Sequence, residues 1–335
     1  MIKFLLKSLL SVVFAGLLYA GWLYIDVQKT LDQPMTLEES PMVFTVNAGD
    51  SMKAISHRLS KTGAYPHPEF LRMSAKIRKL DNKIQVGEYH LTEGMTPNDF
   101  LTMVTEGNVV QHSVVLVEGL TFRQFLEALA AKDDLKKELT DLTDDQIMAR
   151  LGKAGEHPEG RFFPDNYFYT SDSSDLDILK RAYQAMEKMT TERWEKREKD
   201  LPYKNIYEAM TMASIIEKET GRADERPTIA GVFVRRLKKG MKLQTDPTVI
   251  YGIGPEYDGN ITRKHLKTDT PYNTYTRKGL PPTPIAMFGT ASFEAALHPE
   301  EGNALYFVAK GDGSHHFSAT FKEHDKAVTK YQLKK

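Results

Sequence analysis

Hydrophobic positions at the start of the chain are continuous rather than periodic. Residues 8–25 form an uncharged run rich in Leu and Val, and its length of about 18 residues lies at the short end of a membrane-spanning helix. Lys3 and Lys7 precede the run, which favours a cytoplasmic N-terminus, and Trp22 lies near its far end, where interfacial aromatic residues are common. The pattern predicts a transmembrane anchor at 8–25 that leaves residues 1–7 in the cytoplasm.

A cleaved signal peptide is the main alternative for this segment. Ala20-Gly21 loosely resembles a small-residue processing site, but the apolar run is longer than a usual signal core, and the chain has no cysteine for lipid attachment. An uncleaved anchor is therefore the favoured interpretation. The polar, proline-containing segment 26–42 that follows predicts a linker to the first folded domain.

Three copies of one short pattern follow between residues 43 and 131. Each has a glycine turn, a Ser or Thr two residues later, and then apolar residues four apart, at Gly49-Asp50-Ser51, Gly94-Met95-Thr96 and Gly119-Leu120-Thr121. A hydroxyl residue before an amphipathic run is typical of a helix N-cap. The repeat predicts short strands at 44–46, 87–91 and 113–117, with a capped helix after each turn.

Longer periodic patterns dominate the second half of the chain. Segment 175–200 predicts a long helix whose inner face holds Leu179, Ala182 and Met186, and segment 206–220 is helix-forming throughout. Segments 305–309 and 316–318 flank a Gly-Asp-Gly-Ser turn and predict a hairpin. Helices interspersed with short strands indicate an α+β fold class for the part that follows the anchor.

Glu217 lies on the apolar side of the helix predicted at 206–220. Ile206, Met210, Ala213 and Glu217 follow at steps of four, three and four, so they share one line along the helix. A carboxylate at the end of an apolar line is expensive to bury as a charge, which favours the protonated form that a general acid needs. The simpler alternative is a carboxylate at the helix end that is partly solvated or held in a salt bridge.

Glu219 follows two residues later and points about 200° around the same helix, so the two carboxylates cannot act side by side. We expect Glu219 to pair with Arg222, Arg226 or another basic residue rather than to take part in chemistry.

Composition narrows the kinds of chemistry. The 45 basic and 45 acidic residues balance, so nothing suggests a nucleic-acid partner, and the absence of cysteine excludes disulfides, thiolate catalysis and cysteine-based metal sites. His315-His316 lies in the predicted hairpin, where we expect core or substrate-edge side chains rather than metal ligands. No phosphate-binding loop or zinc-protease helix is present, so no cofactor and no metal are predicted.

Segment 159–169 combines five aromatic residues with Asp and Asn. Aromatic faces stack on sugar rings, so the segment is a candidate sugar-binding wall, and Glu159 and Asp165 are candidates for the same site. Ordinary aromatic core beside a Pro-Asp-Asn turn is an equally good interpretation.

Short runs with a fixed order and spacing link the second half to a known family. They are ASIIEKET at 213–220, ER at 225–226, VFVRRL at 232–237, MKLQTDPTV at 241–249, YNTY at 272–275, GLPP at 279–282 and ALHP at 296–299. This ordered set resembles the endolytic murein transglycosylases (the MltG or YceG family), bacterial enzymes that cut the glycan strands of peptidoglycan. The resemblance runs from about Phe44 to the C-terminus and is densest between Glu159 and Thr320.

The resemblance implies a reaction with one catalytic acid–base, Glu217. This residue would protonate the β-1,4 glycosidic oxygen between N-acetylmuramic acid and N-acetylglucosamine, with assistance from the muramyl acetamido group. Its carboxylate would then take the proton of the muramyl C6 hydroxyl, which closes a 1,6-anhydro ring without consuming water.

The family motifs also imply substrate-positioning roles for Gln244, Asp246, Asn273 and Tyr275. Amide side chains suit recognition of N-acetyl groups because each offers a donor and an acceptor. An equally good alternative is that segment 245–248 is a turn that starts a helix, with Asp246 capping backbone amides.

The resemblance further implies the organisation of the chain. Residues 43–110 resemble a LysM-like module, which either binds glycan or only spaces the enzyme from the membrane, and residues 111–335 form the transglycosylase catalytic domain. A boundary near residue 135 is equally defensible. The catalytic domain would face outward from the inner membrane, act on peptidoglycan glycan strands near the peptidoglycan synthases, and terminate nascent strands.

Two other functions are compatible with this pattern. A non-catalytic glycan-binding scaffold of the wall-synthesis machinery would not depend on Glu217, and a true hydrolase would leave reducing rather than anhydro ends.

Overall fold

The structure, a computed structural model, describes residues 2–333 and the side chains from Lys7 onward. Met1 and the early basic side chain of Lys3, both in the predicted cytoplasmic segment, lie outside the described residues and side chains, as do Lys334 and Lys335 of the predicted catalytic domain. The chain forms two compact units, Met1–His112 with Tyr169–Asp172, and Ser113–Phe168 with Ser173–Lys335. Both contain helices and short strands, which confirms the mixed α+β class.

The first unit is built on one antiparallel strand pair. Its elements are α1 (Ile2–Leu31), β1 (Met42–Val46), α2 (Met52–Lys61), α3 (Pro68–Ile77), β2 (Gly87–Leu91) and α4 (Pro97–Glu106). Met42 lies opposite Leu91 and Val46 opposite Gly87. Alternation sends Phe44, Val46, Tyr89 and Leu91 to one face, where they meet the apolar faces of α2, α3 and α4.

Helix α1 has two parts with different surroundings. Its segment Lys7–Leu31 is long and apolar enough to cross a membrane, and the apolar side chains between Lys7 and Leu23 are exposed. Val27 and Leu31 are instead buried in the core of the first unit, together with Met35. Segment 26–42, expected to be a linker, is thus helical up to Leu31 and contributes to the core. Its polar composition hides the four-residue spacing of Val27 and Leu31, which places both on one face.

Two truncations of the full chain test the role of this segment. A chain that begins at Leu23 keeps the three core side chains, whereas one that begins at Leu37 loses Val27, Leu31 and Met35. Because each lost side chain leaves an unfilled apolar site, we expect the second chain to lose at least about 4 kcal/mol of unfolding free energy. Urea unfolding followed by circular dichroism measures the difference, and equal values for the two chains would contradict the assignment.

The three-copy pattern predicted from sequence is confirmed as strand, glycine turn and capped helix. Ser51, Thr96 and Thr121 each accept a hydrogen bond from the backbone N–H three residues later. The preceding Gly49, Gly94 and Gly119 have φ of 82°, 84° and 81°, a region that favours glycine. The same local chemistry therefore recurs in both units.

The second unit contains the remaining elements. They are β3 (His112–Val115, whose first residue belongs to the first unit), α5 (Phe122–Ala130), α6 (Asp144–Arg150), β4 (Asn166–Tyr169, whose last residue belongs to the first unit), α7 (Asp175–Trp194), α8 (Ile206–Glu219), α9 (Arg226–Lys238), α10 (Asp246–Ile253), α11 (Arg263–Lys267), α12 (Thr290–Leu297), β5 (Tyr306–Ala309), β6 (His315–Ser318) and α13 (Phe321–Val328), with a 3₁₀ turn at Gly254–Glu256 and a π-helical turn at Thr329–Leu333. Strand β3 pairs with β4, and β5 pairs with β6 as the predicted hairpin, with Phe307 opposite Phe317.

Helix α8 lies at the centre of this unit. Every residue from Ala209 to Ile216 is buried, and the helix packs against α7, α9, α10 and α12. The face of α7 predicted from Leu179, Ala182 and Met186 is buried as expected, but α7 ends at Trp194 rather than Asp200. The residues after Trp194 are almost all charged, so they offer no apolar side chain that would extend the packed face.

Glu159 joins two helices of the second unit rather than facing a sugar. Its side chain is buried, and its two oxygens accept from the backbone N–H of Phe122 and from the hydroxyl of Tyr251, each at 3.0 Å. Burial raises the pKa of Glu159 from 4.5 to about 7, against the opposing effect of these hydrogen bonds. Phe162, Tyr167 and Tyr169 of the predicted aromatic wall are buried as well, whereas Phe168 is exposed.

The raised pKa of Glu159 makes folding pH-dependent. The folded state holds this proton more tightly than the unfolded chain, so the stabilisation is complete below pH 4.5 and is lost as the pH rises through about 7. We expect wild type to lose about 3 kcal/mol of unfolding free energy relative to Glu159→Gln between pH 4.5 and pH 8. Denaturant unfolding across this range measures it, with the exposed Glu127→Gln as control. Parallel pH profiles for wild type and Glu159→Gln would contradict the prediction.

Candidate active site

Glu217 lies on the last turn of α8, as its apolar line predicts. Met210 and Ala213 are buried below it and Ile206 is partly buried, so the expected line is confirmed. Only 7% of the Glu217 side chain is exposed. A carboxylate so little hydrated needs protein partners.

Two groups supply those partners. The backbone N–H of Gly289 donates to Glu217 Oε2 at 3.0 Å, and Arg226 Nη2 lies 3.7 Å from Glu217 Oε1. Arg226 Nε has no hydrogen-bond partner among the described residues, so this guanidinium acts on Glu217 through charge. The alternative of a salt-bridged carboxylate is confirmed in this contact, although Glu217 is also buried.

Glu118 lies against the same glycine and was missed from the sequence. A Cβ added to Gly289 would lie 1.8 Å from Glu118 Oε1, so the carboxylate occupies the space that any other residue would fill. Partial burial and the negative charge of Glu217 raise the pKa of Glu118, and Arg226 acts in the opposite direction. The one available sequence signal was its position directly before the Gly119 turn of the third repeat copy.

Backbone pairing carries Glu118 to this position. Gly119 N–H donates to Met287 O and Met287 N–H donates to Leu120 O, both at 2.8 Å. Lys218 Nζ donates to Gly119 O at 3.0 Å, which ties the same turn to α8. Residues far apart in sequence thus bring three groups, Glu118, Glu217 and Arg226, to one place.

The expected ion pair of Glu219 with a nearby arginine is wrong. Arg226 faces Glu217 and Arg222 pairs with Asp224 at 2.7 Å, whereas Glu219 accepts a hydrogen bond from the Thr245 hydroxyl. Glu219 points about 200° around α8 from Glu217, so its side chain faces the loop before α10 and not residues 222–226. Burial raises the pKa of Glu219 to about 7, with the Thr245 hydrogen bond opposing the shift.

A cleft of about 440 Å³ opens beside Glu219. Three of the four residues predicted to position substrate line it, namely Gln244, Asp246 and Tyr275. His315, expected to be a core or substrate-edge side chain, lines the cleft as well. Glu217 does not line this cleft, so the predicted binding residues and the predicted acid lie on different sides of the end of α8.

The predicted binding residues form a connected set. Tyr275 donates its hydroxyl proton to Asp246 Oδ1 at 2.5 Å, and Arg236 Nη1 donates to Gln244 Oε1 at 3.2 Å. Gln244 has a φ of 53°, a conformation that costs energy in a non-glycine residue and is typical of functional loops. Helix α10 starts at Asp246 as the alternative reading predicted, but the Asp246 carboxylate bonds Tyr275 instead of capping backbone amides.

Asn273 is buried and lies behind this set. Its amide group donates to the backbone carbonyls of His265, Leu266 and Thr268, and its Oδ1 accepts from the N–H of Tyr275 at 2.9 Å. The side chain therefore fixes the loop that presents Tyr275 and offers no free group to the cleft.

Glu225 connects the two sides of the end of α8. Its carboxylate accepts from His315 N–H at 2.9 Å and contacts His315 Nδ1 at 2.7 Å, and it precedes Arg226 in the chain. His315 lines the cleft, whereas Arg226 faces Glu217. Residues 2–333 contain no group of three His, Asp or Glu side chains placed to hold a metal ion.

Replacing Arg226 tests the charge balance around Glu217. Arg226→Met leaves a nearly buried carboxylate without its cation, and we expect a loss of about 3 kcal/mol of unfolding free energy at pH 8. Thermal unfolding at pH 8 measures the loss. Arg222→Met, which breaks an exposed ion pair, should change little, and equal effects of the two substitutions would count against the assignment.

Comparison with known proteins identifies one family. The model of the YceG-like family matches residues 44–330. An endolytic murein transglycosylase of Bacillus subtilis (strain 168) is 35% identical over 327 residues, which cover 90% of this chain and 88% of the relative. An endolytic murein transglycosylase of Streptococcus pneumoniae serotype 2 (strain D39 / NCTC 7466) is 25% identical over 357 residues, which cover 95% of this chain and 64% of the relative.

A solved structure shows a similar fold. The 2.6 Å crystal structure of a YceG-like protein from Listeria monocytogenes matches with a TM-score of 0.54 and 31% sequence identity. The match covers 87% of this chain and 100% of that chain.

Proposed function

The chain belongs to the YceG-like family, and from that premise we propose that it is an endolytic murein transglycosylase in which Glu217 is the catalytic acid–base. Two relatives of this chain carry that activity in their names. The observation that carries the residue assignment is the burial of Glu217 at the end of an apolar helix face, with Arg226 and the Gly289 amide as its partners.

The proposed reaction uses the Glu217 proton twice. Protonated Glu217 donates to the glycosidic oxygen between N-acetylmuramic acid and N-acetylglucosamine, and the muramyl acetamido group stabilises the cationic centre. The Glu217 carboxylate then removes the proton of the muramyl C6 hydroxyl, whose oxygen bonds to C1 and forms the 1,6-anhydro ring. No water is consumed, and Glu217 ends the cycle protonated.

The neighbours of Glu217 suit both halves of this cycle. When Glu217 has given up its proton, Arg226 and the Gly289 N–H stabilise the carboxylate that remains. The Gly289 hydrogen bond also fixes the orientation of the carboxyl group, and so aims its second oxygen.

We propose that the cleft beside Glu219 holds a neighbouring part of the glycan strand. Gln244, Asp246 and Tyr275 line it with the donors and acceptors that N-acetyl and hydroxyl groups need. Asn273 acts indirectly, by holding the backbone N–H of Tyr275. An endolytic enzyme binds sugar units on both sides of the bond it cuts, so a binding cleft apart from the acid is compatible with this function.

We further propose that α1 anchors the enzyme in the inner membrane, with its N-terminus in the cytoplasm and both units outside. The exposed apolar residues between Lys7 and Leu23 support this placement. The strand and helix order of the first unit, with glycine turns and capped helices, supports its assignment as a LysM-like module that contacts glycan.

Product analysis of the full-length protein in detergent tests the proposal. Purified glycan strands are incubated with wild type and with Glu217→Gln, and the products are identified by mass spectrometry. We expect wild type to release internal fragments with 1,6-anhydromuramic ends, and Glu217→Gln, which lacks the proton to donate, to be slower by at least about 100-fold. Glu127→Gln, on an exposed face of α5, is the matched control and should match wild type.

Three outcomes would overturn the proposal. Reducing ends would mean hydrolysis, and unchanged cleavage by Glu217→Gln would remove this residue from the chemistry. Absence of cleavage by wild type on nascent and mature strands alike would favour a glycan-binding scaffold.

A further inference from the structure

Glu118 is an acidic side chain near Glu217 for which the proposed mechanism has no use. Both carboxylates contact Gly289, Glu217 through the backbone N–H and Glu118 in the space beside the Cα. Standard bond lengths then place an oxygen of Glu118 within about 7 Å of an oxygen of Glu217. The two differ in access, because Glu217 is almost fully covered whereas Glu118 is exposed.

The space beside Gly289 accommodates the Glu118 carboxylate. Its φ of −86° and ψ of 174° are open to any residue, so backbone conformation does not require glycine there. In this structure the Glu118 carboxylate occupies the space beside the Gly289 Cα that a methyl group would fill. The absence of a side chain at Gly289 thus leaves room for the second carboxylate.

The charged groups around Glu118 and Glu217 determine how the two carboxyl groups bind protons. Arg226 on α9 faces both carboxylates, and Lys218 on α8 directs its ammonium to Gly119 O rather than to either carboxylate. At the N-terminus of α12, the Gly289 amide donates to Glu217. Arg226 and that amide are thus the groups that stabilise a carboxylate at Glu217.

We propose that Glu118 is a positioning residue for the proton of Glu217, and that the two carboxyl groups share one proton in the resting enzyme. This inference rests on the proposed function of Glu217. Two carboxylates this close resist double ionisation, so the pair retains one proton at a pH where an isolated glutamate paired with arginine would have lost it. Partial burial and Glu217 together raise the pKa of Glu118, as expected for such a pair.

The pH dependence of kcat/KM tests this role in the full-length enzyme. Glu118→Gln removes the repelling charge, so the alkaline limb should move to lower pH by about one unit. At a pH on the acidic side of that limb in both proteins, the activity of Glu118→Gln should remain within about threefold of wild type. Glu118→Asp keeps the charge and should restore the limb at least in part, and Glu127→Gln should leave it unchanged.

A merely supporting role gives a different result. If Glu118 only packs against Gly289, Glu118→Gln lowers activity at every pH and leaves the limb in place, and this result would overturn the proposal. A limb that moves to higher pH would overturn it as well.

A titration without substrate separates this proposal from the proposed function. The Cδ carbons of glutamate are labelled with ¹³C, and the Glu118 resonance is assigned by its loss in Glu118→Gln. In Glu217→Gln the charge beside Glu118 is gone, so the titration midpoint of Glu118 should fall by about one pH unit. An unchanged midpoint would refute the coupling whether or not the enzyme cleaves glycan, and a lowered midpoint in an inactive protein would refute only the function.

Discussion

The last turn of α8 places negative charge where the helix itself is already negative. The unpaired carbonyl groups at a helix C-terminus disfavour anionic side chains, yet this turn carries both Glu217 and Glu219 after eight consecutive buried residues. Each carboxylate needs compensation from elsewhere in the fold. Arg226 at the start of α9 and the Gly289 N–H at the positive end of α12 supply it for Glu217, and Thr245 before α10 supplies it for Glu219. The arrangement of α9, α10 and α12 around α8 can be understood from this requirement.

Local chemistry made part of this structure predictable from sequence. The glycine turns and N-caps of the three repeat copies, the hairpin of β5 and β6, and the apolar line below Glu217 each depend on residues within about four positions of one another. The family motifs likewise gathered Gln244, Asp246 and Tyr275, which the structure places around one cleft.

Features that depend on distant contacts were missed or misjudged. Glu118 reaches Gly289 because the backbone at 119–120 pairs with Met287, and no local sequence pattern predicts that pairing. Glu219 was given an arginine partner from nearby residues, but its direction around the helix sends it to Thr245 instead. Composition alone made 26–42 look like a linker, because the three apolar residues that enter the core there are outnumbered by polar ones.

The continuity of α1 with the core of the first unit limits how far that unit can travel. With α1 in the bilayer as proposed, only about five residues separate the interfacial Trp22 from the buried Val27, a rise of about 8 Å along a helix. A flexible linker would let the first unit move through a volume above the membrane. A short helix that is held in the bilayer at one end and in the core of the unit at the other keeps the unit at a fixed height. The first unit would then sample a thin layer at the membrane surface, and a glycan strand would have to pass through that layer to meet it. The first unit would therefore meet glycan strands mainly by lateral diffusion in the membrane, and less by movement perpendicular to it.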